Sequence, residues 1–310
     1  MAVDSITLKK IEAQIDLYSL DKSYIKKSAE FIDKNEVFIL KTSDIKRASL
    51  SNQMPDILFA QGDEKVLSKF RIGIVGTRKP DEYGVRVVTD IIRRYRNKDI
   101  ATVSGFAEGI DSLVHSASIE NGIPTIAVLP CGFANNYPAS NKDLRARIRK
   151  NGLLATEYSP YVKGLQLNFI QRNHIIAAIS DILIITQGAM QSGTLSTLTQ
   201  ALKLKKQIFA LPGEITNKLS YAPNYAIFRG AAPIYSKDVL PGISSRMRVA
   251  TKLTEDEEAV LELVKKFRNV NDVLSSKEMP YEIIAASLTS LEMKGVVMKG
   301  FNNKISVVED

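Results

Sequence analysis

Along the first 70 residues, polar and apolar positions alternate at helical spacing, with Leu17, Leu20, Ile25 and Phe31 marking amphipathic turns. The segment 54–63 reads as a turn, a short strand and another turn. This pattern predicts a small helical region over 1–53 with a lead-in to a main sheet. From residue 71 the rhythm changes. Short apolar, β-branched runs at 72–75, 100–103, 124–129, 153–158, 182–185 and 207–211 alternate with helical stretches at 85–95, up to 120, 142–150, 168–180 and a helix ending in Lys203, Lys205 and Lys206. Such repeats predict an α/β fold over 54–240: a mostly parallel sheet with helices on both faces. Pro241-Gly242-Ile243-Ser244-Ser245 breaks the rhythm, so 241–253 reads as a linker. Beyond it, 254–310 forms a separate small unit. Ala259, Val260, Leu263 and Val264 share one helical face, 270–274 predicts a short second helix, and Ile283, Ile284, Leu288, Leu291 and Met293 share a third. Residues 296–298 and 305–308 flank an Asn302-Asn303 turn, as in a hairpin. Three helices and a hairpin predict a winged helix.

The candidate chemistry lies where strands meet helices. The first predicted strand ends at Gly76 and is followed by Thr77, Arg78 and Lys79. The second ends in Ser104-Gly105-Phe106-Ala107, and another glycine turn, Ser192-Gly193-Thr194, opens a helix. In a parallel sheet these three turns share the C-terminal edge, where backbone N–H groups and helix N-termini bind anions. Arg78, Lys79, Lys142 and Arg172 can bring positive charge to that edge. The spacing is neither G-x-G-x-x-G nor a Walker motif, which gives little support to a dinucleotide or NTPase site. A nucleic-acid backbone needs phosphate pockets along a groove with aromatic platforms beside them. Phe106, Tyr137 and Phe169 lie in or beside the loops; each taken alone reads as core, and Phe169, next to Gln171-Arg172-Asn173, stands out for stacking.

Charge supports that direction: the formal net charge is +8, which favours a polyanionic partner. The single cysteine, Cys131, permits no intramolecular disulfide and fits a reducing cytoplasm. No apolar run approaches the ~20 residues that span a bilayer, and no secretory leader precedes the first helix, so no membrane insertion is expected. Metal-ligand spacings are absent and no cofactor is expected. His115 and His174 are the only histidines, Cys131 has no His beside it, and Asp111 and Glu157 read as isolated carboxylates at element ends. A binder is therefore expected rather than an enzyme.

Several motifs together resemble the DprA/Smf family of DNA-processing proteins. They are Gly-Ile-Val-Gly-Thr-Arg at 73–78, Ser-Gly-Phe-Ala-Glu-Gly-Ile-Asp at 104–111 with His115, and Thr-Ile-Ala-Val-Leu-Pro-Cys-Gly at 125–132. Tyr137-Pro138 with Asn141, Phe169 with Arg172-Asn173, Ser192-Gly193-Thr194 and Pro212-Gly213 complete the set. The resemblance covers about 54–236. It implies a Rossmann-like domain that binds single-stranded DNA, forms a homodimer and helps load RecA recombinase during natural transformation, with no established catalytic role. The candidate DNA contacts are then Gly76, Thr77, Arg78, Lys79, Ser104, Gly105, Phe106, Ala107, Tyr137, Asn141, Lys142, Phe169, Arg172, Asn173, Ser192, Gly193 and Thr194. The family often carries serine at Thr77, arginine at His174 and an acidic residue at Gln187. A dimer edge is expected within 207–235, which contains Ile208, Phe209, Ile227, Phe228 and Ile234; some of these are expected at the surface, whereas Ile208 reads as core.

Two other functions compete with this one. Nucleotide phosphoribohydrolases resemble the chain at Gly193-Thr194, but their catalytic glutamate falls at Thr197, which cannot act as a carboxylate base. A winged-helix regulator would read bases through 281–293, yet that helix carries Glu282 and Glu292 and no Lys or Arg before Lys294. The winged unit is thus expected to contact protein or support a dimer, with the Ser275-Ser276-Lys277 turn and Lys304 left open as phosphate contacts.

Overall fold

The computed structural model describes residues 3–49, 54–236, 253–293, 296–299, 303 and 305–307. The chain divides into two compact units, Met1–Val239 and Leu240–Asp310.

The first unit opens with α1 (Ser5–Leu17), α2 (Ser23–Lys34), β1 (Phe38–Lys41) and β2 (Ile57–Gly62). The repeats follow: β3 (Phe70–Val75), α3 (Glu82–Arg94), β4 (Ile100–Ser104), α4 (Ile110–Glu120), β5 (Thr125–Val128), α5 (Lys142–Asn151) and β6 (Gly152–Thr156). Then come α6 (Gln166–Ile179), β7 (Ile182–Ile185), α7 (Gly193–Lys203), β8 (Gln207–Ala210), α8 (Tyr221–Phe228) and β9 (Ala232–Pro233). All nine strands form one sheet in the order β1-β2-β6-β5-β4-β3-β7-β8-β9. From β6 to β9 every neighbouring pair is parallel, whereas β2 runs antiparallel to both β1 and β6.

The apolar runs become strands because both faces of this sheet are covered. Leu58, Val128 and Leu153 enter one core, with Ile175, Ile179 and Leu198 of α6 and α7. Their sequence neighbours Phe59, Ala127 and Leu154 enter the other core, with Ile11, Ile15 and Ile32 of α1 and α2 and Ile148 of α5. Successive strand side chains point to opposite faces, so a strand buried on both must be apolar throughout. The expected mostly parallel α/β architecture is observed. The N-terminal region differs from expectation: it is not purely helical, because Phe38-Ile39-Leu40-Lys41 pairs with β2 as an edge strand. Its helices also share the core of the sheet. The sequence pattern likewise missed α8 and β9, and it started α3 too late; Asp81 caps that helix by accepting the Gly84 N–H at 2.9 Å.

The strand order reverses between β3 and β7. From β3 the chain adds β4, β5 and β6 on one side, then returns to place β7, β8 and β9 on the other. At such a switch point the loops after two adjacent strands diverge to opposite faces and leave a crevice at their carboxyl ends.

The second unit contains α9 (Glu255–Phe267), α10 (Val270–Leu274), α11 (Tyr281–Met293) and an antiparallel pair, β10 (Val297–Lys299) and β11 (Ile305–Val307). Thr254 and Glu257 form a reciprocal capping box at the start of α9. Val260, Leu263, Val264, Val273, Ile284, Leu288 and Leu291 make its core. The buried Glu257 accepts a 2.6 Å bond from the Ser290 hydroxyl. The predicted linker, except Leu253, together with Lys294 and Lys304, lies outside the described residues.

Candidate nucleic-acid interface

A crevice of about 460 Å³ occupies the switch point. The turn after β3 supplies Gly76, Thr77 and Arg78; the turn before α4 supplies Ala107, with Asp111 from the helix itself. Phe169, Arg172 and Asn173 reach it from α6, and Ser192, Gly193 and Thr194 from the start of α7. All three glycine turns therefore contribute walls. No side chain caps α7; the Leu195 N–H turns back to the Ser192 carbonyl at 3.1 Å, which leaves the N–H groups of Gly193 and Thr194 at the wall with the positive end of the helix dipole.

The exposed Arg78 guanidinium lies 5.3 Å from the centre of the Phe169 ring. Tyr137 meets the same ring edge-on, at 5.2 Å and 75°. A permanent cation and an aromatic platform thus stand together at one wall. Gly109 fixes the Arg78 loop: its φ is +78°, and a Cβ there would lie 2.5 Å from the carbonyl group of Arg78 and from the Thr77 oxygen. The Ile110 N–H donates to the Thr77 carbonyl at 3.1 Å, pinning the loop to the start of α4.

The opposite side is tied by Gln187. Its amide donates to Asp81 Oδ1 at 2.7 Å and its carbonyl accepts the Asp81 N–H at 3.2 Å. Asn217 donates to Asp81 Oδ2 at 2.9 Å. The Gly84 N–H, with Gln187 and Asn217, holds the Asp81 carboxyl below the usual carboxylate range. Where the family often has an acid, an amide here satisfies both partners without adding a second negative charge.

Seven expected contacts are buried: Ser104, Gly105, Phe106, Asn141, Arg172, Asn173 and Thr194, of which Arg172, Asn173 and Thr194 line the crevice. Arg172 is only 4% exposed; its Nη1 donates to the carbonyls of Gly105 and Val128, the latter at 2.8 Å. Asp111 faces it and accepts the Ala107 N–H at 3.3 Å, so this carboxylate is not isolated. Burial pushes the Asp111 carboxyl up, and Arg172 draws it back. Ser104 donates to the Ile74 carbonyl at 2.7 Å. Phe106 is buried in the core, and Asn141 donates to its carbonyl at 3.1 Å and to Ser112 Oγ at 2.8 Å. Gly105 is held between Arg172 and Asp111, where no Cβ fits. Lys79 is exposed just outside the lining, and Lys142 lines a different groove.

His115 and Cys131 are buried away from the crevice. His115 Nδ1 bonds Thr125 Oγ1 at 2.7 Å, and burial lowers its pKa to about 3. Burial pushes the Cys131 thiol up to about 11. Thr197 lines the crevice and turns its hydroxyl to the Gly193 carbonyl at 3.4 Å. Among the described residues no cluster of His, Cys, Asp or Glu could hold a metal ion. No described helix is long and apolar enough to cross a membrane. Asp111 and Thr197 were the lining residues that sequence reasoning undervalued; Asp111 opens α4 inside the Gly-Ile-Asp motif, which was the available signal.

The sequence pattern of DNA recombination-mediator protein A matches residues 41–241, the span that builds this crevice. The chain belongs to that family. The DNA processing protein DprA of Bacillus subtilis (strain 168) is 40% identical over 185 residues, covering 59% of this chain and 62% of the relative. The Streptococcus pneumoniae protein of the same name is 35% identical over 187 residues, 60% of this chain and 66% of that one. Less than two thirds of either relative is therefore spanned. The crystal structure of the S. pneumoniae protein superposes with a TM-score of 0.62 at 30% identity, covering 71% of this chain and 77% of that one. DNA processing protein A from Helicobacter pylori, solved to describe its single-stranded DNA binding mode, gives 0.60 at 27% identity, with 65% and 92% covered. Both α1 and α2, and α9 to β11 of the second unit, fall outside the family match. The family is named for mediating recombination.

Proposed function

We propose that the switch-point crevice binds single-stranded DNA without strong sequence preference, and that the protein serves recombination by holding such strands. The carrying observation is the pairing of Arg78 with Phe169 beside the uncapped start of α7. Phosphate groups are met by a guanidinium and helix N–H groups; an unstacked base meets a ring. Duplex DNA hides its base faces, so this pairing favours single strands. The single-strand binding mode described for the H. pylori protein supports the same reading.

In natural transformation the protein would shield incoming strands in the cytoplasm and help load RecA recombinase as a homodimer. Phe228 and Tyr235, 82% and 81% exposed near the β9 edge, support a partner surface there; Ile208 and Ile234 are buried and belong to the core. A dimer would bring two crevices to one strand and raise apparent affinity without any further interaction at either crevice. The helix order and β10–β11 pair of the second unit support a winged-helix module. Its third helix opens with an acidic residue, Glu282, and has no basic residue in its last turn, which favours a protein partner.

The test is a titration with single- and double-stranded oligonucleotides at several salt concentrations. Single strands should bind more tightly, with a log–log salt slope of about −0.7 per phosphate neutralised. Equal affinity for both forms, or no salt dependence, overturns the reading.

A further inference from the structure

The basic helix α5 plays no part in the crevice. Its positions 142, 145, 146, 149 and 150 nevertheless fall on one helical face, at the spacing that places side chains in a single stripe. Lys142, Arg145, Ala146, Arg149 and Lys150 all line a second groove, of about 640 Å³, whose far wall includes Phe31 of α2. Among the described residues no carboxylate lines it.

The cations differ in their commitments. Arg145 is half-buried and donates to the carbonyls of Phe133 and Asn135 at 2.7 and 2.8 Å, so it fixes the loop while keeping its charge in the groove. Arg149 gives one nitrogen to Glu36 at the groove margin. Lys142 and Lys150 are exposed and make no ion pair among the described residues. Between them Ala146 presents only a methyl group, which lets an extended chain lie close to the helix. Eight residues of helix separate the two ammonium stems by about 12 Å, room for more than one phosphate at ~3.4 Å of axis per nucleotide.

The groove adjoins the crevice through one loop. Phe133 and Asn136 line the groove, and the next residue, Tyr137, packs on Phe169 in the crevice. We propose that this groove is a second backbone-phosphate site, along which a DNA single strand continues past Tyr137 after leaving the crevice. The proposal rests on the crevice binding single-stranded DNA. It assigns the α5 groove to phosphates alone: its aromatic residues are Phe31 and the buried Phe133, the latter covered by Arg145, so it adds length and salt dependence but no base preference.

The test uses the full chain and labelled deoxythymidine homopolymers of about 6 and about 20 nucleotides. Two charge reversals are compared. Lys150→Glu alters the groove. Arg147→Glu changes net charge equally but lies outside the lining, beside Glu120 at 3.8 Å. The expected result is a five- to tenfold loss for Lys150→Glu (order of magnitude) on the long oligomer only. Its salt slope should flatten by about 0.7 for each phosphate that the groove no longer neutralises. The short oligomer should bind both variants as it binds the unaltered protein. Equal losses for the two reversals, equal losses on both lengths, or no loss overturn the groove assignment. Loss of duplex binding with long single strands unaffected also overturns it, and assigns the groove to duplex. If the unaltered protein does not hold the short oligomer, the crevice reading itself fails, and the groove proposal with it.

Discussion

Replacing Arg172 by methionine separates a structural role from a DNA contact. Methionine keeps an unbranched apolar stem and removes only the guanidinium. In the structure that group is all but inaccessible, donates to two carbonyl oxygens on different strands' exits and faces the Asp111 carboxylate. Each hydrogen bond from a charged donor contributes about 1.5–3 kcal/mol, and stripping one partner from a buried charge pair costs about 3–5 kcal/mol. These effects overlap, because the same nitrogens serve both, so the expected destabilisation is about 3–5 kcal/mol. For a unit of this size each kcal/mol lowers Tm by about 2–4 °C, giving a fall of about 6–20 °C. Thermal unfolding followed by circular dichroism measures it, with oligonucleotide binding measured well below the lowered Tm. Binding there should change far less than stability, since the outward groups, Arg78 and Phe169, remain. The reasoning is refuted if Tm stays within about 2 °C of the parent while single-strand binding collapses. Arg172 would then touch DNA directly.

Arg78→Ala should weaken binding of every single-stranded sequence alike, about 10-fold or more, while Tm moves little, because the side chain is exposed. Phe169→Ala should cost about 1–3 kcal/mol of binding with an unchanged salt slope, which a titration at several salt concentrations resolves. His115 is buried neutral with its pKa lowered to about 3, so its stabilising contribution is complete above the unfolded value near 6.5 and is lost as pH falls towards 3. At pH about 5 the loss is about 2 kcal/mol, and His115→Gln should flatten urea midpoints across that range. Gly109→Ala, at positive φ and against the Arg78 backbone, should destabilise by more than about 1 kcal/mol and also weaken DNA binding. No free base should be released from nucleoside monophosphates, since Thr197 stands at the glutamate position; release above a heat-killed control would contradict this.

The parallel strands were legible because they are buried on both faces, and 182–185 was located to the residue. Edge elements were not: β9 has two residues, and α8 carries apolar side chains on every side, leaving no stripe to detect. Val37-Phe38-Ile39-Leu40 was a readable strand signal, lost inside a region that otherwise scans as helix. In the site, turn chemistry placed three loops on one edge correctly, since glycine at a strand end and a following helix fix direction. Depth was the missing quantity. Arg172 and Phe169 are three positions apart on α6 and share a face, yet one ends under the crevice and the other at its wall. Phe106, which taken alone reads as core, and Asn141 group with the expected DNA contacts for the same reason; only the core around them reveals that they support the turn.

The Gln187 bridge has a consequence for how a ligand is received. It joins the exit of β7 to the cap of α3, and Gly84 must lack a Cβ for the amide to fit. The bridge couples the two sides of the switch point, and widening the crevice would break both Gln187 bonds to Asp81, the residue that caps α3. The conformational entropy of arranging these walls is lost during folding, not at the encounter with a ligand. Such a preformed slot associates without waiting for a loop to close, and differences among ligands should appear mainly in how fast they leave.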